Sequence, residues 1–249
     1  MPIRANALVV MAKAPIPGSV KTRLMPFLSA AQAAALSRAL LVDQLEHLCA
    51  FRRADLYLAF TPADARRLIR RLAPPRFEIF AQRGADLGLR MQEIFATLFA
   101  KGHNRIVLIG ADVPPIPFSY FRQAFTYLKN TEPRAVLGPS LDGGYCLIGV
   151  NRVQPEVFVD MSWSHDRVFA QTLARLRDLD VPTLQLPQWF DIDTPADLNA
   201  LAQDQMAVYR REMKNTMKTL AGLKLDQRNS QGTGFSAVGR VTRSPAKKL

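Results

Sequence analysis

Lys13, Lys21 and Arg23 flank Gly18 in the stretch Met11 to Leu24, which reads M-A-K-A-P-I-P-G-S-V-K-T-R-L. Cations offered by a turn, with a glycine that lets the backbone come close, make an anion-binding loop. Carboxylates fall at the ends of apolar runs further along: Asp112 after Arg105 to Ile109, Asp142 in the turn before Tyr145 to Val150, and the pair Asp191 and Asp193 after Thr183 to Leu186. Carboxylates beside a phosphate loop are suited to Mg²⁺ (or Mn²⁺), which is bound through one or two of them plus substrate phosphates. Such an ion would neutralise charge growing on a leaving pyrophosphate or nucleoside diphosphate. Taken singly, each Asp is also an ordinary turn or helix-entry residue; the combination with the basic loop is what points to chemistry. The pair Gly143-Gly144 permits a tight turn or close backbone approach. Trp163 could line a pocket, and His165 could titrate near neutral pH, although an aromatic and a histidine just before a helix also read as structural.

These residues need elements to hold them. Ala7 to Val10 reads as a first strand, so the basic loop lies at its carboxyl end, where open α/β sheets bind ligands. Ser29 and Gln32 form a capping box for a helix to about Ala50, with Leu36, Leu40, Leu41, Leu45 and Leu48 as one buried stripe. Strands are expected at Leu56 to Phe60, Phe77 to Ala81, Arg105 to Ile109, Ala135 to Gly138, Tyr145 to Val150 and Thr183 to Leu186. Helices are expected from Thr61-Pro62-Ala63-Asp64, from about Gly84 to Ala100, over Ser119 to Asn130, over Asp166 to Leu179 behind a Ser164 cap, and from Asp193-Thr194-Pro195. Alternating strands and helices predict an α/β fold with a mostly parallel sheet. The expected domain covers 1–204, with a helical extension over 205–225 and a disordered basic tail over 226–249.

Several function classes are excluded or weakened. No apolar run approaches the roughly 20 residues that span a bilayer. Two cysteines, Cys49 and Cys146, cannot make a disulfide framework, which points to the cytoplasm. The net charge is +12, but residues 201–249 carry ten Lys/Arg against three acids. The high charge is therefore largely the tail's, and no specific nucleic-acid partner is expected of the body. Gly18-Ser19-Val20-Lys21-Thr22 fails the P-loop spacing because Gly18 does not directly precede Lys21, and no G-x-G-x-x-G follows the first strand.

Five segments together resemble a bacterial family, the DUF2064 type, of the nucleotide-diphospho-sugar transferase superfamily: Ala12 to Leu24, Asp86 to Met91, Gly110 to Pro114, Gly138 to Gly149 and Phe190 to Leu198. The resemblance implies a GT-A-like (Rossmann-like) three-layer sandwich with nucleotide at the carboxyl edge of the sheet. It implies that the loop with Lys13, Gly18, Lys21 and Arg23 cradles phosphates, that Asp112 and Asp193 contact the metal, and that Asp142, Gly143, Gly144 and Tyr145 border the sugar or acceptor, with Trp163 as a pocket wall. Ala111 and Val113 depart from the small polar residue and the Cys that commonly flank the first acid. The implied activity is a Mg²⁺-dependent transfer of a glycosyl or nucleotidyl group from a nucleotide sugar or nucleoside triphosphate to a small acceptor. A three-cation loop suits a triphosphate, whereas the usual family label suits glycosyl transfer. Asp142 is the candidate base for an acceptor hydroxyl. A non-catalytic nucleotide binder, or a polyanion binder working through the tail, are the alternatives; the oligomeric state stays open.

Overall fold

The computed structural model describes residues 4–163, 165–202 and 211–223. The first strand, β1 (Asn6–Lys13), has Ala7 to Val10 wholly buried, as the apolar run requires of a strand covered on both faces. The helix α1 (Ala30–Leu48) follows. Its capping box is formed as predicted: Gln32 N–H donates to Ser29 Oγ at 3.2 Å, and Ser29 N–H donates to Gln32 Oε1 at 2.8 Å. Next come β2 (Asp55–Thr61), α2 (Arg66–Leu72), β3 (Phe77–Ala81), α3 (Leu87–Ala100), β4 (Arg105–Gly110) and α4 (Phe118–Tyr127). The strands β5 (Ala135–Pro139) and β6 (Tyr145–Val150) are followed by α5 (Val168–Asp178), β7 (Thr183–Gln185), α6 (Pro195–Ala202) and α7 (Lys214–Gly222). Thr61-Pro62 starts a short 3₁₀ turn, Ala63–Ala65, before α2 instead of opening the helix itself. The expected Ser164 cap and the expected tail 226–249 lie outside the described residues.

The sheet has seven strands in the order β3-β2-β1-β4-β6-β5-β7. All run parallel except β6, which pairs antiparallel with both β4 and β5. The reason is local: Ser140 to Gly144 is too short for a crossover, so β5 and β6 can only form a hairpin. Helices α1, α2 and α4 cover one face, through Leu41, Leu45, Ile69 and Phe121; α3 and α5 cover the other, through Ile94, Phe95, Leu98 and Leu176. This is the three-layer α/β sandwich expected from the alternation of elements.

One helix does double duty. The leucines of α1 do not all face the sheet: Leu41, Leu45 and Leu48 do, while Leu36 and Leu40 pack in a separate cluster with Ile192, Leu198, Met213 and Leu223. A helix covered on two sides carries apolar residues around much of its circumference, which is why a single stripe was a good reading of burial but not of partners. The second contact is locked by Asp43, itself buried on α1. Its Oδ1 accepts from Asn215 N–H at 2.9 Å and from Asn215 Nδ2 at 2.8 Å, and its Oδ2 accepts from Thr216 N–H at 2.8 Å. The carboxylate satisfies amides at the start of α7 that the helix cannot satisfy for itself. Asp43→Ala is expected to lower unfolding free energy by about 1–3 kcal/mol, the range for losing a cap and leaving buried amides unpaired. Urea denaturation checks it, with Asp43→Asn, which keeps an acceptor oxygen, falling between the two.

Candidate active site

Strand order brings the chemistry together. Because β1 lies beside β4, the loops leaving their carboxyl ends are neighbours. The loop after β1 is tied down by Ala14 N–H donating to Thr61 O at 2.7 Å and Ser19 N–H donating to Ile16 O at 3.0 Å, with Gly18 at φ 81° making the turn. Lys21 then takes a left-handed conformation, φ 51° and ψ 39°, and heads a 3₁₀ turn over Thr22–Leu24 whose Leu24 is wholly buried. This conformation costs an L-residue other than glycine on the order of 1 kcal/mol.

That backbone drives the Lys21 side chain inward, where it is 1% exposed. Its Nζ lies 2.8 Å from Asp112 Oδ1 and 3.6 Å from Asp193 Oδ1, and Arg23 Nη1 lies 3.2 Å from Asp193 Oδ2. A buried ammonium is costly unless paired, and here it faces carboxylates from two separate loops. The loops are themselves stitched: Ile192 N–H donates to Asp112 O at 3.0 Å, and Trp189 Nε1 donates to Pro114 O at 3.2 Å. Asp197 Oδ2 accepts from Asp193 N–H at 3.0 Å and Thr194 N–H at 2.7 Å, which fixes Asp193 at the entry to α6.

The β5–β6 turn forms the facing wall. Asp142 Oδ1 accepts from Gly144 N–H at 2.9 Å and from Ser140 Oγ, an Asx-type closure of the turn. Gly143 sits at φ 85° against the start of α5; a Cβ there would lie 2.0 Å from Asp166 O, and Phe169 N–H donates to Gly143 O at 2.9 Å. No residue but glycine fits that position.

Between these walls is a cavity of about 510 Å³. Of the residues singled out by sequence, Arg23, Asp112, Asp142 and Asp193 line it, together with Gly144, Tyr145 and Trp163. Lys21 lies beneath, reaching it through Asp112 and Asp193. Lys13, Gly18 and Gly143 are not among the lining residues: Lys13 is exposed at the end of β1, and the two glycines shape turns. Tyr145 turns its hydroxyl away, donating to Met91 Sδ at 3.9 Å, and burial pushes its ionisation up. Trp163 packs over α3, its ring 2.6 Å from where a Cβ on Gly88 would stand.

Asp191, paired with Asp193 as a candidate metal-binding acid, and His165 line the same cavity, as do Ser140 and Asp166, which the sequence did not single out. The signal for Ser140 is its spacing to Asp142 across a hairpin turn. Asp191 is pushed up to about 6, first by burial and then by the negative charge of Asp142. Cys146 is pushed up to about 12, mainly by burial, so this lining thiol is not a thiolate nucleophile near neutral pH. Raising a carboxyl in the folded state means that the native protein holds a proton the unfolded chain releases, so Asp191 lends stability below about pH 4 that is lost as pH rises through about 6. Asp191→Asn is expected to remove that decline and to stabilise the protein above pH 6, by on the order of 1 kcal/mol since the group stays partly open to solvent. Melting temperature measured from pH 4 to 8 checks it; parallel curves for the two proteins would contradict it.

A protein of Desulfovibrio desulfuricans G20, assigned as a nucleotide-diphospho-sugar transferase, is 32% identical in a superposition with TM-score 0.78 that covers 89% of this chain and 99% of that one. A cytidylyltransferase from Leptospira borgpetersenii shares the fold at 13% identity and TM-score 0.54, covering 90% of this chain and 98% of its own. None of the curated proteins compared matches the chain. The model of the family described as "Uncharacterized protein conserved in bacteria (DUF2064)" matches residues 44–165. The chain belongs to this DUF2064 family, within the nucleotide-diphospho-sugar transferase superfamily.

Proposed function

We propose that the cavity is the active site of a metal-dependent transferase that takes a nucleotide donor, either a nucleoside triphosphate or a nucleotide sugar, and passes its nucleotidyl or glycosyl group to a small acceptor. The observation that carries this reading is Lys21: a buried, left-handed lysine whose ammonium holds Asp112 and Asp193 from two different loops at 2.8 and 3.6 Å. Backbone strain and a buried charge are retained where surroundings over-determine them, and such places cluster at functional sites.

The donor set fits a hard divalent cation. Asp112 and Asp193 already converge on one positive charge, and both offer only carboxylate oxygen. Among the described residues no group of three or more His, Cys, Asp or Glu could hold a metal ion by itself. Two carboxylates with the remaining positions left to phosphate and water is how Mg²⁺ is commonly held. Bound there, the ion would supply charge neutralisation on the phosphates. The chain's own contributions are separate. Arg23, 60% exposed and lining the cavity, offers a fork to phosphate oxygens. Lys21 keeps the two carboxylates in register. Asp142 has its Oδ1 committed to the turn, and among the described residues its Oδ2 makes no hydrogen bond, leaving it to accept the proton of an acceptor hydroxyl. Positioning and fixed charge do most of the work in such transfers, and no protein nucleophile is required.

The structural likeness supports the class of reaction: the Desulfovibrio desulfuricans protein, assigned as a nucleotide-diphospho-sugar transferase, superposes over nearly its whole length. A thermal-shift screen of nucleoside triphosphates and nucleotide sugars, with and without Mg²⁺, tests the reading, because a ligand at about 100 times its Kd stabilises by roughly 2.7 kcal/mol. Mg²⁺-dependent stabilisation by one donor class is the expected result, and that class tells nucleotidyl from glycosyl transfer. Asp112→Asn is expected to weaken calorimetric binding of that donor with Mg²⁺ by at least about tenfold while keeping the native circular dichroism spectrum. No response to any nucleotide, or undiminished Mg²⁺-dependent binding by Asp112→Asn, would sink the proposal.

A further inference from the structure

The opposite edge of the sheet holds a second concavity. It has a volume of about 300 Å³ and lies where β1 and β4 begin, lined by Asn6, Arg105 and Arg53 and by Arg122, Thr126 and Lys129 from α4 and its end. Its floor is apolar: Phe51 and Phe125 are 3% and 6% exposed, and their rings stack with centroids 6.1 Å apart. Four cations line it and no carboxylate does. Among the described residues, none of the four takes part in an ion pair, whereas the nearby Arg4 pairs with Asp55 at 3.4 Å.

Two features separate this place from a face of solvated cations. The first is organisation. Asn6 Oδ1 accepts from Arg105 Nε at 2.6 Å, while Asn6 Nδ2 donates to Arg53 O at 2.8 Å, so one side chain braces both arginine positions. Arg122 and Thr126, four residues apart, share one side of α4, and Lys129 follows just beyond the end of that helix. The second is the medium. Cations of one sign above an aromatic floor raise the local potential, because the low-dielectric wall focuses the field instead of screening it. Bringing such cations together costs repulsion that an anion would relieve.

We propose that this cavity is a second anion site, which binds a phosphorylated small molecule through its phosphate. A phosphate presents several acceptor oxygens to guanidinium forks, and the threonine hydroxyl adds a neutral donor. The volume is at the low end for small-molecule sites. The site is about 20 Å from the candidate active site, the length of the strands between the two edges, and the proposal does not depend on the reaction assigned there.

The test uses the ¹⁵N-labelled full chain, titrated with inorganic phosphate, with pyrophosphate and with a nucleoside monophosphate, while the amide signals of Arg53, Arg105 and Thr126 are followed. Saturable shifts at these amides are expected, and the most effective of the three ligands tells a free phosphate from one carried on an organic group. The double variant Arg122→Glu/Lys129→Glu is expected to raise the apparent Kd read there by at least about tenfold, with signals around Asp112 unaffected. Arg53→Ala is the second variant, should charge reversal on α4 perturb the fold. Shifts that do not saturate, or an affinity unchanged in the variants, overturn the proposal. A short single-stranded oligonucleotide that binds here when none of the small anions does would also overturn it, in favour of a nucleic-acid surface.

Discussion

The site depends on one buried ammonium. Lys21 makes no use of solvent: it is 1% exposed, left-handed at its backbone, and answered by two carboxylates from loops that follow β4 and β7. Neither loop carries regular structure at that point, so the distance between Asp112 and Asp193 is set by the hydrogen bond of Ile192 N–H to the Asp112 carbonyl at 3.0 Å and by the lysine that the two carboxylates share. Moving either carboxylate away would leave the buried ammonium with one partner fewer. An unpaired ammonium in that buried position is costly, which sets the electrostatics against the strain of the left-handed residue. The strained turn is thus held by the electrostatics it creates. The 3₁₀ turn after Lys21 is anchored from the apolar side by the wholly buried Leu24, so the loop is pinned at both ends of the lysine.

Topology makes the pair available. With β1 next to β4, the first loop and the Asp112 loop are neighbours by construction. With β6 antiparallel between β4 and β5, the hairpin turn carrying Asp142 is returned to the same edge. The seventh strand, parallel to β5, then leads to the loop that delivers Asp191 and Asp193 across Asp112, where Ile192 N–H bonds the Asp112 carbonyl at 3.0 Å. Acids far apart in sequence meet because each stands at the carboxyl end of its own strand, or, for Asp142, in the hairpin leaving one. This is the general reason that ligands of open α/β sheets lie at that edge.

Much of this was legible from residues. Ala7 to Val10 and Ile106 to Ile109 are continuous apolar runs, and only a strand buried on both faces wants them. The Ser29/Gln32 box gave the start of α1 to the residue because the cap is a local hydrogen-bond pattern. The association of Lys21, Arg23, Asp112 and Asp193 was legible as well, because Gly and Pro mark the strand ends. What the sequence hid was geometry that depends on partners. Nothing in its neighbours says that Lys21 points inward and Lys13 outward; that follows from a left-handed φ at one position. Leu36 and Leu40 looked like the same stripe as Leu41 and Leu45 because helical periodicity reports burial, not which element does the burying. Tyr145 was expected to border the sugar or acceptor; it lines the cavity, and its hydroxyl is turned to Met91, since alternation along β6 sends it to the α3 face.

Asp191 shows why such hidden geometry matters. Its neighbour Asp193 is held in place by Arg23 and Lys21, and so cannot move to relieve a nearby negative charge. Asp142 is likewise held, by Gly144 N–H and Ser140 Oγ. Asp191 is partly buried and feels the negative charge of both, and among the described residues no cation lies within ion-pair reach of it. The site therefore divides its acids by role. Asp112 and Asp193 are bound to Lys21 and Arg23, while Asp191, buried and without a counterion, carries the raised pKa. That division follows from where the cations of the first loop end up, and so returns to the backbone of Lys21.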